Sequence, residues 1–292
     1  MTVIDAHHHY WRVSEQQEQS WRTPAHAALA RDFEPADLAG ELRAAAVDAT
    51  VLVQSADEGA ENDRLRAYAG STPSVAGVVG WLPLRDPPAA RRELDRLTGV
   101  PRLAGVRCLV GREPLDWLAG AEVRGLFAEL AERGLSLDVV PVTSDQVDAV
   151  CALAAAVPEL RVVVDHLARP PLDRGGWEPW ASSVEALARC PGVALKVSIG
   201  IDLLDAWPWD ADALTRYVAH AVEQLTPQRL MLASNWPVVL LRRSYVEAWS
   251  DLVAAVAACG VTGADRDAVL GGTAVRWYGL SDAPSSPGEL RH

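Results

Sequence analysis

Residues 2–9 read TVIDAHHH. An apolar, β-branched start runs into three histidines with no turn residue between. That is the pattern of a buried strand delivering titratable groups at its carboxyl end. Seven further runs of the same kind follow: 50–55 (TVLVQS), 75–82 (VAGVVGWL), 103–110 (LAGVRCLV), 135–141 (LSLDVVP), 161–166 (RVVVDH), 193–199 (VALKVSI) and 229–235 (RLMLASN). Near-continuous apolarity suits a parallel strand covered on both faces. Between the runs lie helical periods. In 122–134, Val123, Leu126, Phe127 and Leu130 share a face and Gly134 stops the helix; 144–157 opens on Ser144-Asp145 and ends before Pro158; 210–225 has Asp210 as N-cap. Eight strand–helix units predict an α/β fold, a (β/α)8 TIM barrel forming a single domain over 1–280. An open doubly wound sheet is the main rival, but no GxGxxG follows the first strand. Two segments stand outside the repeat. Residues 10–35 read as a long loop over the active face, and 281–292 as a polar, flexible tail.

Composition narrows the function. The 292 residues carry 27 Lys+Arg against 39 Asp+Glu, a net charge of −12, which disfavours nucleic acid or an anionic membrane surface as partner. No apolar run is long enough to span a bilayer, and the N-terminus lacks the basic and apolar regions of a signal peptide. The four cysteines, Cys108, Cys151, Cys190 and Cys259, form no CxxC and read as reduced thiols in a cytoplasmic protein. Lys196 is the single lysine among the 27 cations.

In such a barrel the active site forms at the carboxyl ends of the strands, and parity along each strand decides what converges there. On that rule His7 and His9 share a face with Asp5, while His8 points away. The sixth strand ends in Asp165-His166. The seventh carries Lys196, with Ser198 on the same face. A lysine within an apolar strand is costly unless paired, and arginine cannot replace it in shape or titration. The second and fourth strands carry Gln54 and Arg107, and the eighth leads into Asn235-Trp236. His26 and His220 read as structural. Seven tryptophans fall near loops (Trp11, Trp21, Trp177, Trp180, Trp207, Trp209, Trp236), where they serve either as a stacking wall for a ring or as loop packing.

These residues resemble the amidohydrolase superfamily, in particular its lactonase branch of sugar-lactone and 2-pyrone-4,6-dicarboxylate lactonases. Asp5-x-His7-x-His9-x-Trp11 is similar to the branch's DxHxHxW, and Val53-Gln54 with Glu61-Asn62 to its VQ…EN. Gly105-Val106-Arg107, Asp165-His166-x-x-Arg169-Pro170, Lys196-Val197-Ser198 and Arg229-x-Met231 with Ser234-Asn235-Trp236-Pro237 resemble the motifs that follow. The resemblance runs from the first strand to about residue 280. It implies a barrel hydrolase opening a lactone, a sugar lactone or related cyclic ester. It also implies a divalent metal, usually zinc, on His7, His9 and His166, although some members of the branch work without one.

This sequence departs at the eighth strand, where Asn235 replaces the aspartate that ligates metal and activates water. Asparagine has no ionisable carboxylate, so weak metal binding or none is expected. The expected machinery is His7, His9 and Lys196 as donors to the developing oxyanion, Asn235 holding water and one of His7, His9 and His166 as base. Gln54, Arg107, Arg169, Ser198 and Trp236 are expected to bind substrate. The partner is a small molecule, with a homodimer as the base-rate assembly. Two other readings stay open: a metal-dependent decarboxylase or other C–C or amide hydrolase, and a ligand-binding barrel whose catalysis went with the aspartate.

Overall fold

The computed structural model describes residues 1–16 and 22–281. Eight parallel strands alternate with helices: β1 (Ile4–His8), β2 (Ala49–Val53), β3 (Val75–Trp81), β4 (Leu103–Arg107), β5 (Ser136–Val139), β6 (Val162–Val164), β7 (Val193–Val197) and β8 (Leu230–Leu232). They pair in chain order, β1 through β8. Closure is made by the residues just past β8: Asn235 N donates to His7 O at 2.9 Å and His9 N to Trp236 O at 2.8 Å. The result is a (β/α)8 barrel with each predicted strand in place.

The predicted helices form at Ala121–Glu132, Ser144–Ala156 and Ala211–Gln224. Asp210 caps the last of these, accepting from the backbone of Asp212 and Ala213. Gly134 follows its helix at φ +71°, a conformation that costs glycine nothing.

Two apolar layers result. One lies between sheet and helices. The other fills the barrel with small and branched side chains, among them Ile4, Ala6, Val51, Val79, Val163, Ala194 and Met231. The C-terminal helix Thr273–Tyr278 closes this inner layer, which Ala274, Tyr278 and Leu280 complete. A Cβ on Gly77 would lie 2.7 Å from Leu280 Cδ2, so β3 needs a glycine where that plug enters.

One parity expectation fails. Ile4 and Ala6 belong to the interior layer, whereas the Asp5 carboxylate accepts from Ser234 N at 2.8 Å, Ser234 Oγ at 2.6 Å and Tyr245 OH at 3.2 Å. Tyr245 lies on the outer helix Tyr245–Ala258. The pairing register of β1 with β2 shifts between Asp5 and His8. This bulge returns His7 to the interior side and separates Asp5 from His7 and His9. Asp5 instead staples β1 to the turn after β8, and burial raises its carboxyl from 3.8 to about 6.

The loop after β1 is pinned at its ends by a Trp11–Phe33 bridge. His26 Nε2 lies 2.7 Å from Asp205 Oδ1, and His220 Nε2 3.2 Å from Ala181 O, the structural placements expected of both. Trp21 and the tail beyond residue 281 lie outside the described residues.

Candidate active site

The inward positions of β5, β6 and β7 stop being apolar one step above the small-residue layer. There Asp138, Asp165 and Lys196 meet, all fully buried or nearly so. Lys196 Nζ lies 2.7 Å from Asp138 Oδ2, 2.9 Å from Asp165 Oδ1 and 3.0 Å from His7 Nδ1. Arg107 Nη1 takes the other Asp165 oxygen at 3.0 Å and lies 3.4 Å from His7 Nε2. From the C-terminal plug, Tyr278 OH donates to Asp138 Oδ2 at 2.7 Å. Two cations thus face two carboxylates in a dry interior, where breaking one pair costs far more than forming it returns. Burial alone would raise the Asp165 carboxyl, but Lys196, His7 and Arg107 hold it well below the ordinary range. Burial raises Asp138 against the opposing pull of Lys196.

Above this layer stand the histidines. His9 Nδ1 lies 2.8 Å from the Val53 carbonyl, and His9 Nε2 lies 3.2 Å from His7 Nε2. His166 Nδ1 meets Ser198 Oγ at 2.8 Å, and its ring centroid is 4.7 Å from that of His7. Burial, followed by the charge of Lys196, holds His7 well below its usual pKa; burial followed by Arg107 does the same for His9. Burial takes His166 down to about 4. All three are therefore neutral at pH 7. His8 turns away from the cavity to Thr50 Oγ1 at 2.9 Å.

His166 opens a strained turn. His166, Leu167, Ala168 and Arg169 have φ of 56°, 51°, 51° and 58°, a left-handed run without glycine. Each such residue costs about 1–2 kcal/mol. The turn is held by Trp180 Nε1 donating to Leu167 O at 2.7 Å and by an Arg169–Asp202 ion pair. Asn235, also left-handed at φ 56°, donates through Nδ2 to Ile199 O at 2.8 Å. Its Oδ1 is buried with no protein partner.

A cavity of about 530 Å³ lies over these strand ends, lined by His9, His166, Arg107 and Asn235 below and by Trp11, Val110, Val142 and Val238 around. Among the expected site residues, then, those four reach the cavity. His7 and Lys196 lie beneath it, and Ser198 holds His166 from behind. Gln54 is buried and its side chain donates to Asp57 Oδ1 at 3.1 Å, while its main-chain carbonyl accepts from Arg107 Nη2. Arg169 lines a neighbouring cleft of about 350 Å³ beside Trp180. Trp236 packs in the core against Tyr10 and Phe33. Of the described tryptophans named from the sequence, Trp11 alone lines this cavity; Trp177 and Trp180 pack on Tyr217 and His220, and Trp207 on Trp209.

Sequence reasoning missed Asp138 and Tyr278 below the histidines and Asp57 and Asp202 in the cavity wall. Asp138 had a readable signal, an acid within an apolar strand at the parity that faces the axis. The loop acids had none. Glu61 and Asn62 serve the scaffold: Glu61 Oε1 accepts from Ser55 N at 2.7 Å and fixes the loop after β2, and Asn62 bonds both main-chain groups of Trp81.

Could this set hold a divalent cation? His7, Asp165 and His166 each bring one potential ligand atom within 4.8 Å of the others, and two Nε2 atoms 3.2 Å apart suit neighbouring ligands of one ion. The charges do not suit it. Each Asp165 oxygen already faces a cation, Asn235 is neutral, and Lys196 and Arg107 lie 3.0 and 3.4 Å from His7. A resident divalent ion would add two positive charges beside two others with no free carboxylate to balance them. The residues present do not fit it.

The chain is thus an eight-stranded parallel α/β barrel with neutral histidines and a cavity at the carboxyl ends of its strands, where enzymes of this architecture place their active sites. The chain belongs to the amidohydrolase family, whose sequence profile matches residues 4–280. It is 32% identical over 288 residues to an L-fucono-1,5-lactonase of Burkholderia ambifaria, covering 97% of each chain. It is 31% identical over 299 residues to an L-fucono-1,5-lactonase of Burkholderia multivorans, covering 96% of each. A solved amidohydrolase from Burkholderia multivorans with bound zinc superposes with a TM-score of 0.85 at 30% identity, over 96% of this chain and 100% of that one.

Proposed function

We propose that the chain hydrolyses a sugar lactone, with the six-membered aldono-lactones on which its named relatives act as the first substrates to try. The observation that carries this reading is the cavity itself. It is large enough for one sugar ring and presents on one floor a neutral histidine, an unpartnered amide oxygen and a guanidinium.

The groups divide by access. The Val53 carbonyl fixes the His9 proton on Nδ1, leaving Nε2 bare, and that atom faces His7. Ser198 engages His166 at Nδ1 and leaves Nε2 for the cavity. His166 is therefore the base that takes a proton from the attacking water. Asn235 Oδ1 accepts the water's other hydrogen and aims its lone pair at the lactone carbonyl. As the tetrahedral oxyanion forms, the Arg107 guanidinium in the cavity floor is its donor, with His7 and His9 backing that floor, all preorganised by the buried layer. Collapse breaks the ring C–O bond, and the proton on His166 goes to the departing ring oxygen, leaving a hydroxy acid. Lys196, which has no access to the cavity, acts through His7.

No step needs a metal ion, in line with the donor set. The test is a panel of aldono-lactones followed by a pH indicator, with and without chelator. Turnover unaffected by chelator is expected. If chelation abolishes turnover, the metal-free mechanism fails. If no lactone is opened while a lactone or sugar acid raises the melting temperature, the chain is a binding protein.

A further inference from the structure

We propose that Lys196 decides whether His7 is a proton donor or a metal ligand, by holding the ring proton on Nε2. The argument is hydrogen-bond accounting and needs no substrate, so it stands apart from the lactonase reading.

An ammonium has three N–H groups and no acceptor. The three acceptors around Lys196 Nζ are Asp138 Oδ2, Asp165 Oδ1 and His7 Nδ1, at 2.7, 2.9 and 3.0 Å. The third bond exists only if His7 Nδ1 is a bare lone pair. Asp165 Oδ1, the rival partner of Nδ1, stands 3.3 Å away, farther than the lysine does, and already accepts from Lys196 at 2.9 Å.

On the other side of the ring the nearer neighbour, His9, agrees; Arg107 Nη1, itself a donor, stands farther off at 3.4 Å. The Val53 carbonyl can only accept, so His9 carries its proton on Nδ1 and its Nε2 is bare. That bare nitrogen lies 3.2 Å from His7 Nε2. With the His7 proton on Nε2, the contact is an ordinary N–H···N bond. With the proton on Nδ1, two lone pairs oppose each other at Nε2, and at Nδ1 a lysine N–H opposes an imidazole N–H, all in a dry interior where unmade bonds are expensive.

A metal-binding histidine has the opposite arrangement, with Nε2 bare toward the ion and Nδ1–H donated to a carboxylate behind it. The carboxylate is present here as Asp165. Lys196 is what keeps it from that role. Asp138 and Tyr278 hold Lys196 in turn: Asp138 Oδ2 accepts from both at 2.7 Å. Tyr278 and Asp138 are therefore positioning residues for a proton on His7.

The test has two arms. The first is the 15N spectrum of histidine-labelled wild-type protein, with His7 assigned by its loss in His7→Gln. The Nε2–H form is expected; the Nδ1–H form overturns the proposal. The second arm is zinc binding by calorimetry to wild type and to the double variant Lys196→Met with Asp138→Asn. That pair removes one positive and one negative charge and keeps an acceptor for Tyr278, so the buried layer stays balanced. The variant should show Nδ1–H on His7 and bind zinc about 10–100-fold more tightly, the range over which such outer partners act. A folded double variant with wild-type zinc affinity, or wild type that holds zinc as tightly as the variant, refutes the idea. Should the variant not fold, the wild-type spectrum alone still decides.

Discussion

Beneath His7, the Lys196 ammonium meets three acceptors, both Asp165 oxygens face cations, and Tyr278 completes Asp138. A few ångströms above, Asn235 Oδ1 has no partner, His166 reaches the cavity with one ring nitrogen in use, and Arg169 sits in a left-handed turn. The lower layer is paired in charge and closed to solvent. The upper layer is strained and keeps unused hydrogen-bonding capacity. Groups that are already paired can hold geometry but have little to offer a substrate, whereas chemistry needs atoms whose bonds are still to be made. The division therefore assigns positioning to the first layer and reaction to the second.

The comparison breaks most visibly if a lower-layer pair is cut. Asp165→Asn takes the buried carboxylate from Arg107 and leaves Lys196 with Asp138 alone, and should cost about 3–5 kcal/mol in urea unfolding together with nearly all activity. Full stability in this variant would mean that the layer is not the electrostatic unit described. An upper-layer change should separate the two properties. His166→Gln is expected to lower kcat about 10²–10⁴-fold, the span of a lost general base, while the urea midpoint moves little. Lys196→Arg keeps the charge but exchanges a compact three-donor head for a planar fork. It should lower turnover about 10-fold or more; wild-type behaviour would show that the shape of that cation is immaterial.

Acid should sharpen the contrast. His8 and His166, at about 3 and about 4 in the folded protein against 6.5 in the unfolded chain, stay unprotonated where the unfolded chain binds protons. Each subtracts up to about 1.4 kcal/mol of stability per pH unit as pH falls from 6.5 toward 4. Asp5, raised to about 6, works the other way between 6 and 3.8, because there the native state holds a proton the unfolded chain has lost. Among these three groups one proton's worth of acid destabilisation remains, and His7 and His9 add to it in the same direction. Urea midpoints measured from pH 7 down to 4 should fall steadily. Activity, read in short assays, should keep its acid limb near 4; a limb at 6.5 would remove His166 as the base. The smallest effect on kcat is expected from Asn235→Ala, which deletes one neutral water acceptor as well as the bond to Ile199 O, and should lower kcat about 3–10-fold, in keeping with the net worth of such bonds.

Much of this was readable from the chain. Each strand shows as an apolar run because both of its faces are covered, and Asp165, His166 and Lys196 show as polar residues those runs would not otherwise tolerate. Alternation was a safe guide only where the ladder is regular. At β1 a bulge changed the parity, and Asp5 left the histidines for Tyr245. Trp236 looked like a substrate platform because it follows Asn235, yet its ring turned to Tyr10 and Phe33. Asp57 and Asp202 stand on loops, where no period announces which way a side chain faces. Tyr278 was beyond local reading altogether, since its partner Asp138 is 140 residues earlier.

That last contact has a bearing on how the protein is made. The ribosome delivers β1 with His7 long before the helix carrying Tyr278. Until residue 278 has cleared the exit tunnel, Asp138 lacks its phenol and the inner layer lacks its plug. A nascent chain can therefore present all eight strands while the layer beneath His7 still lacks the phenol that holds Asp138, so that layer is complete only once the helix carrying Tyr278 has docked.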